Sequence, residues 1–211
     1  MTDAADPVEV PFRAEMLHLV QHGKLSELVR DAFGPEGRDA PHWACLWPSG
    51  RAMVGEVGAR DDWSDLDVLE LGCGIGPGAI AAAKAGAQRV VAADLEPRAG
   101  AWVEANARRN GVTVVFRAFD WNEPPPDLGT FHRILASDVF YDDGMLGGVL
   151  RFLQARLTPA GRALITDPFR VSAAGVAGAA RLRGLKAWQQ TLSAGPSLVG
   201  GVQLFEFERS R

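Results

Sequence analysis

Glu70, Gly72, Gly74, Gly76 and Asp94 are the residues whose types and spacing could do chemistry, and all lie between Asp67 and Pro97, in DVLELGCGIGPGAIAAAKAGAQRVVAADLEP. Gly72 and Gly74 can take positive φ and let a ligand approach the backbone closely. Asp94 follows the first glycines by roughly twenty residues, where a carboxylate can accept both hydroxyls of a ribose. Glu70 stands just ahead of the glycines, a position that repels a pyrophosphate and suits the amino group of a methionine tail. The spacing is G-x-G-x-G, tighter than the G-x-G-x-x-G of dinucleotide sites, although Gly78 can be read as completing a near variant. The ligand expected is therefore S-adenosylmethionine. A nicotinamide dinucleotide, or a tight turn that holds no ligand, is the alternative.

The elements that must position these residues are legible around them. An apolar run, Val68 to Leu71, stops at the glycines; an alanine-rich segment follows, and a second apolar run, Val90 to Ala93, ends in Asp94. That is strand, turn, helix, strand and acid, half of a Rossmann-type unit. Pro77 fits a first helical residue, because its ring presets φ and it has no amide hydrogen to leave unpaired. The rhythm continues, with strands expected at 67–71, 90–93, 113–118, 132–137 and 162–166 and helices at 77–86, 97–109, 143–156 and 173–184. Such alternation implies a parallel sheet with helices on both faces. The last apolar stretches, Ala187 to Leu192 and Val202 to Glu208, are joined only by SAGPSLVGG, a connection that suits an antiparallel hairpin. The fold class is α/β: a Rossmann-like seven-strand sheet of five parallel strands plus a C-terminal antiparallel hairpin.

Upstream the pattern weakens. Residues 1 to about 11 read as loosely ordered, and Arg13 to Phe33 gives a broken helical pattern through Met16, Leu17, Val20, Leu25, Leu28 and Val29. Residues 1–40 are thus expected to be a helical and loop segment ahead of a single domain over 41–211. A further helix is expected through Met53, Val54 and Val57.

Bulk properties narrow the class. The 211 residues suffice for one domain with a real core. A net charge of −4 argues against a nucleic-acid binder. Two cysteines, Cys45 and Cys73, build neither a disulfide framework nor a metal cluster, so no metal is expected. His18 and His22 could share a helix face as metal ligands, but no third ligand accompanies them. There is no secretory signal and no membrane-spanning apolar stretch, so a cytoplasmic protein without membrane partners is expected.

The combination HWACLWPSG, LELGCGIGPG, VAADLEP, DWN and ASDVFYD resembles the seven-strand, family 16, S-adenosylmethionine-dependent protein lysine methyltransferases. The segments Pro41–Gly50, Asp138–Asp142 and Leu164–Pro168 are most similar to the electron transfer flavoprotein β-subunit lysine methyltransferases and their bacterial relatives. The likeness covers roughly residues 41 to 170 and fades where a family of this kind places substrate contacts. It implies that Trp47 helps to close the cofactor pocket and that Glu70, Gly72, Cys73 and Gly74 line the methionine end. It further implies Asp94 on the ribose, Leu95 against the adenine, and the acid–aromatic pair Asp120 and Trp121 flanking that base. Ser137 precedes the motif aspartate, and Asp138 and Tyr141 match a D-x-x-Y signature at the mouth of the fourth parallel strand.

The implied activity is methyl transfer to a lysine of a protein, a flavoprotein β-subunit or a ribosomal protein. A small-molecule N- or O-methyltransferase and a non-catalytic cofactor-binding module are the alternatives. Plainer roles stand beside these: Trp43 and Trp47 as core aromatics, Asp94 as a helix cap, Asp120 and Trp121 as a turn, and Asp167 as a strand-end acid. The target protein, the number of methyl groups added and the oligomeric state are not legible in the sequence.

Overall fold

The computed structural model describes residues 5–23, 41–141, 144–171, 173–192 and 201–209. A seven-stranded sheet organises them. Its strands are β3 (Asp67–Leu71), β4 (Arg89–Asp94), β5 (Val115–Ala118), β6 (Phe131–Ser137), β7 (Leu157–Asp167), β8 (Leu185–Leu192) and β9 (Val202–Arg209), in the order β5-β4-β3-β6-β7-β9-β8. Strands β3 to β7 are mutually parallel. β9 lies antiparallel between β7 and β8, which is the expected terminal hairpin. The helices are α1 (Pro48–Gly58), α2 (Pro77–Lys84), α3 (Ala99–Arg109), α4 (Met145–Arg156) and α5 (Ala173–Arg181).

Side-chain alternation along the strands divides the core in two. Val68, Val90, Ala92, Leu135 and Leu164 pack with Met53, Val57, Ile80 and Val103 of α1 to α3 on one face. Leu69, Leu71, Val91, Ile134, Ala163 and Ile165 pack with Val149, Leu153 and Val176 of α4 and α5 on the other. Both faces are covered, which is why these strands read as nearly continuous apolar runs. Expected strand and helix positions agree with those observed, with ends displaced by a few residues.

The N-terminal expectation is corrected. Residues 5–22 form neither a loose tail nor a helix but a hairpin, β1 (Ala5–Phe12) with β2 (Glu15–His22), paired antiparallel. Val10, Phe12, Leu17 and Leu19 are buried in the same core as α1 to α3. The period of two, Val8-Val10-Phe12 and Leu17-Leu19, wins over the helical spacing because those side chains share one face of a ribbon. The free edge of β2 is satisfied by two asparagines of the α3 segment. Asn106 accepts from Val20 N at 2.7 Å and donates to Val20 O at 3.1 Å. Asn110 accepts from His18 N at 3.0 Å and donates to His18 O at 2.9 Å. Spaced i, i+4, the two amides face one way and stand in for a third strand. On a strand, His18 and His22 lie about 13 Å apart, too far to share a metal ion; His18 instead pairs with Glu9 across the hairpin at 3.2 Å. The remainder of the expected 13–33 helix, and the boundary at residue 40, fall outside the described residues.

Candidate active site

Register places the chemistry in one row. Leu71 of β3 is level with Ala93 of β4 and Ala136 of β6, and Ser137 is level with Thr166 of β7. The glycine turn, Asp94, Ser137–Asp138 and Asp167 therefore emerge together at the carboxyl ends of the parallel strands. Strand order reverses between β3 and β6. That reversal opens the crevice in which open α/β sheets bind ligands.

The glycine turn is held from beneath and covered from one side. Gly72, Gly74 and Gly76 have φ of 63°, 51° and 81°. A Cβ on Gly74 would fall 2.6 Å from the carbonyl oxygen of Trp43, so this position admits no side chain. Cys73 joins the turn to β4 through its N–H to Ala93 O at 2.9 Å, while its thiol is buried in the core and pushed well above the ordinary thiol range by that burial. Asn106 also reaches the turn, donating to Ile75 O at 3.1 Å.

Glu70 is fully buried, and its two oxygens accept from Gly78 N at 2.9 Å and Ala79 N at 2.8 Å. It satisfies two of the orphan donors of the α2 N-terminus. Burial pushes its carboxyl up to about 8, against the lowering effect of those two N–H groups. Its carboxyl thus lies behind the turn, against the first helical residues.

Asp94 is half-buried; it accepts from Gly74 N at 2.8 Å and from Glu96 N at 3.0 Å. Burial raises its carboxyl, with these N–H donors opposing. Each oxygen accepts one of these bonds, and a carboxylate oxygen has capacity for another. Beside it Leu95 is 69% exposed, an apolar surface with nothing over it. Glu96 and Arg98 are hydrogen-bonded twice, at 2.8 and 2.7 Å, and Arg98 lies over the Trp43 ring at 5.5 Å. Together these side chains form a wall on the Asp94 side.

Opposite, Trp121 is half-buried, with its ring 3.7 Å from where a Gly72 Cβ would stand. Asp120 is exposed and closes a turn onto Asn122 N at 2.8 Å. Trp47 precedes α1, is half-buried, and donates from Nε1 to His42 O at 2.7 Å.

Beyond the glycine turn lies a polar cluster. Asp138 has φ of 60° in a non-glycine residue, a strained conformation of a kind that collects at functional sites. Its N–H donates to Thr166 O at 2.9 Å. Thr166 Oγ1 donates to Ser49 O at 2.9 Å and lies 3.0 Å from Ser137 Oγ. Asp138 Oδ1 pairs with Arg170 at 2.9 Å, while Oδ2 is buried without a hydrogen bond. Burial raises the Asp138 carboxyl; Arg170 and the adjacent Ser49 hydroxyl lower it, and Asp167 raises it. Ser49 Oγ nevertheless makes no hydrogen bond of normal geometry. Cys45, beside Asp138, is pushed up to about 12 by burial and by that carboxylate, so it is no nucleophile. Tyr141 stands at the rim, 64% exposed.

The row brings Gly72, Gly74, Gly76, Asp94, Leu95, Ser137 and Asp138 to the carboxyl ends of the strands, with Trp121 against Gly72 and Asp120 and Tyr141 further out. Against expectation, Glu70 and the Cys73 thiol do not line it: both are buried behind the turn, and Trp47 stands ahead of α1. Sequence reasoning missed Ser49 and Arg170. Both lie in or beside the quoted motifs, Ser49 in HWACLWPSG and Arg170 two residues past Pro168, but neither carries a spacing rule of its own. Among the described residues no group of three His, Cys, Asp or Glu could hold a metal ion, and no helix is long and apolar enough to cross a membrane.

A methyltransferase domain model matches residues 68–161. The chain is 35% identical over 132 residues to the electron transfer flavoprotein beta subunit lysine methyltransferase of Danio rerio, covering 62% of this chain and 51% of that protein. It spans about half the length of the curated relatives of that name. Over 67 residues it is 42% identical to the ribosomal protein L11 methyltransferase of Shewanella halifaxensis (strain HAW-EB4), covering 32% of this chain and 23% of that one. Among solved structures it is similar to the T. thermophilus 16S rRNA N2 G1207 methyltransferase, determined with AdoMet and guanosine. There the TM-score is 0.72 at 13% identity, covering 99% of this chain and 51% of the other. That likeness bears on the fold alone, a Rossmann-like seven-strand sheet.

Proposed function

We propose that this chain, whose residues 68–161 match a methyltransferase domain, is an S-adenosylmethionine-dependent methyltransferase acting on a lysine side chain of a protein. The observation that carries the reading is the crevice itself. A glycine turn that admits no Cβ at Gly74 and the half-buried Asp94 with the bare Leu95 lie beside an Asp138 oxygen that is buried and unpaired. The first three suit an adenosyl group; the last suits a cation arriving next to it. The lysine target is supported by the relatives named for that activity.

S-adenosylmethionine would supply an electrophilic methyl group on a cationic sulfur. Asp94 would hold the ribose, Leu95 and Trp121 would enclose the adenine with Asp120 at its amino group, and Trp47 would help to close the pocket. Glu70, capping α2, would keep the glycine turn in shape and, where a bound sulfonium favours its ionised form, place negative charge behind the methionine end. Asp138 orients the incoming ammonium, and Tyr141 shapes the channel mouth. The acceptor amine must be neutral to attack, whereas free lysine has a pKa near 10.4. Desolvation lowers that value, and so does a neighbouring sulfonium. Holding the amine in line with the methyl group can contribute roughly 7–11 kcal/mol in favourable cases. We place the domain at 41–211, with the hairpin of residues 5–22 packed onto it. Two buried free thiols, Cys45 and Cys73, suit a reducing, cytoplasmic setting.

The test is to incubate a cell lysate with the purified protein and methyl-labelled S-adenosylmethionine. Label on a protein band, recovered as methyl-lysine after acid hydrolysis, is the expected outcome; label confined to the low-mass fraction would mean a small-molecule substrate. S-adenosylhomocysteine should raise the thermal midpoint and NAD should not. Asp138→Ala should abolish transfer and retain S-adenosylhomocysteine binding; near-normal turnover in that variant would remove Asp138 from the mechanism.

A further inference from the structure

Arg170 sits where the proposed acceptor would go. Its Nη1 lies 2.9 Å from Asp138 Oδ1, 3.9 Å from Asp167 Oδ2 and 3.4 Å from the Asp138 carbonyl oxygen. The two carboxylates differ sharply in access, Asp138 being 15% exposed in its side chain and Asp167 not at all. Asp167 spends Oδ1 on Arg170 N at 2.6 Å, while its Oδ2 is buried with no hydrogen bond. The wholly buried Ser49 hydroxyl lies against Asp138 and favours its ionised form. Two carboxyl groups, each with one oxygen that makes no hydrogen bond (Asp138 Oδ2 and Asp167 Oδ2), therefore face one cation that enters from the solvent side, its side chain 36% exposed. Buried polar atoms are ordinarily paired, and these two oxygens leave the pair of carboxyl groups with room for more donors than Arg170 supplies.

We propose that the Arg170 guanidinium is an internal stand-in for the substrate ammonium: a cationic acceptor takes its place at Asp138, and Arg170 swings out to solvent. The inference rests on the lysine-transfer reading above and extends it to how acceptors are selected. Two carboxylates facing one arginine leave a net negative charge, so the site stays attractive to a second cation even before Arg170 departs. A primary ammonium carries three donors in a small head and can serve the unpaired oxygens from one point, which the broad planar guanidinium does not. The chain around Arg170 is already strained: Phe169 has φ of 65° and Asp138 of 60°. Strain of this kind persists only where surrounding contacts hold it, and the Arg170 ion pairs are contacts that bridge the two segments. Arg170 is thus a specificity-determining residue. Neutral acceptors cannot displace it, and cationic ones bind with an affinity reduced by the fraction of molecules in which it is seated.

The probe is n-butylammonium, which reproduces the end of a lysine side chain, titrated by ligand-observed NMR into the whole protein with and without S-adenosylhomocysteine. If Arg170 is seated about nine-tenths of the time, Arg170→Ala should bind the probe about tenfold more tightly than wild type. Arg170→Gln, which keeps the stem and removes the charge, should gain similarly. Methylguanidinium should compete with butylammonium in Arg170→Ala, and Asp138→Asn should abolish probe binding in every background. Equal or weaker probe binding in both Arg170 variants would overturn the proposal, since it would make the arginine part of the acceptor's floor. Failure of wild type to bind S-adenosylhomocysteine would sink the methyl-transfer reading instead. The titrations without that ligand would still decide which cation Asp138 prefers.

Discussion

The substitution Glu70→Gln separates the charge behind the glycine turn from its hydrogen bonds. In the folded protein burial pushes the Glu70 carboxyl from an ordinary 4.5 up to about 8. The unfolded chain releases that proton near 4.5 and the folded chain near 8, so between those values the folded state binds more protons. Stability attributable to Glu70 is therefore full below pH 4.5, falls as pH rises through the window, and is flat above about 8. At about 1.4 kcal/mol per pH unit the whole window is worth up to about 5 kcal/mol. The amide has no such proton to lose. It keeps one acceptor for Gly78 N or Ala79 N but turns an NH2 donor toward the other, which costs about 1–3 kcal/mol at every pH.

Glu70→Gln should accordingly be the less stable protein at pH 4.5 and the more stable at pH 9, with the curves crossing between about pH 5 and 7. Urea unfolding followed by tryptophan fluorescence at five pH values measures this, and the wild-type-minus-variant difference cancels every other titrating group. Ligand sharpens the test. A bound sulfonium would favour the ionised carboxylate, so S-adenosylmethionine should stabilise wild type increasingly from pH 5 to 8 while its effect on the variant lacks that slope. Parallel stability curves for the two proteins would refute the reasoning, because Glu70 would then titrate alike in the folded and unfolded chains.

Gly74→Ala forces a Cβ to within 2.6 Å of Trp43 O at a φ of 51° and should cost more than about 2 kcal/mol, with donor affinity falling more than about tenfold. Gly111→Ala is the control, with φ of 65° and nothing within 4 Å, and should cost only the left-handed backbone penalty of about 1–2 kcal/mol. Equal losses in the two would show that Trp43 yields freely. Asn106→Ala removes partners from Val20 N, Val20 O and Ile75 O and should destabilise by about 3 kcal/mol or more. Hydrogen exchange should quicken across residues 15–22 before the central strands respond, and uniform quickening would contradict a local role for that side chain.

The parallel sheet was readable because its rules are local. β3, β4 and β6 are short apolar runs stopped by Gly, Asp or Ser, and α2, α3 and α4 follow them within a few residues. The terminal hairpin was readable for the complementary reason: SAGPSLVGG is too short to cross over. The N-terminal hairpin was not. Prolines at 7 and 11 argue against a strand unless it lies at an edge, which is where β1 lies. The spacing of Met16, Leu17 and Val20 imitates a helix turn, yet Met16 is exposed while Leu17 and Val20 are buried. What stabilises β2 as a strand is a pair of asparagines 86 and 92 residues away, and no window along the chain contains both partners.

The same distinction divides the crevice. Asp94 and the glycines obey a spacing law set by one strand–helix–strand unit, so their place follows from counting. Ser49, Asp138, Asp167 and Arg170 come from the start of α1, the end of β6 and the end of β7, and only register brings them together. Asp138 could be picked out because it ends an apolar strand. Arg170 could not, since an arginine two residues beyond a proline has no property in the sequence that separates it from a solvated surface charge. Its meaning lies in what faces it: two carboxylates drawn into the protein by strands whose apolar residues must be buried. On the proposed reading, the residues that would hold the donor are therefore legible from one segment of sequence, whereas those that would select the acceptor meet only through contacts between segments. A chain that kept LELGCGIGPG and VAADLEP but altered residue 170 should hold the same donor and choose a different acceptor.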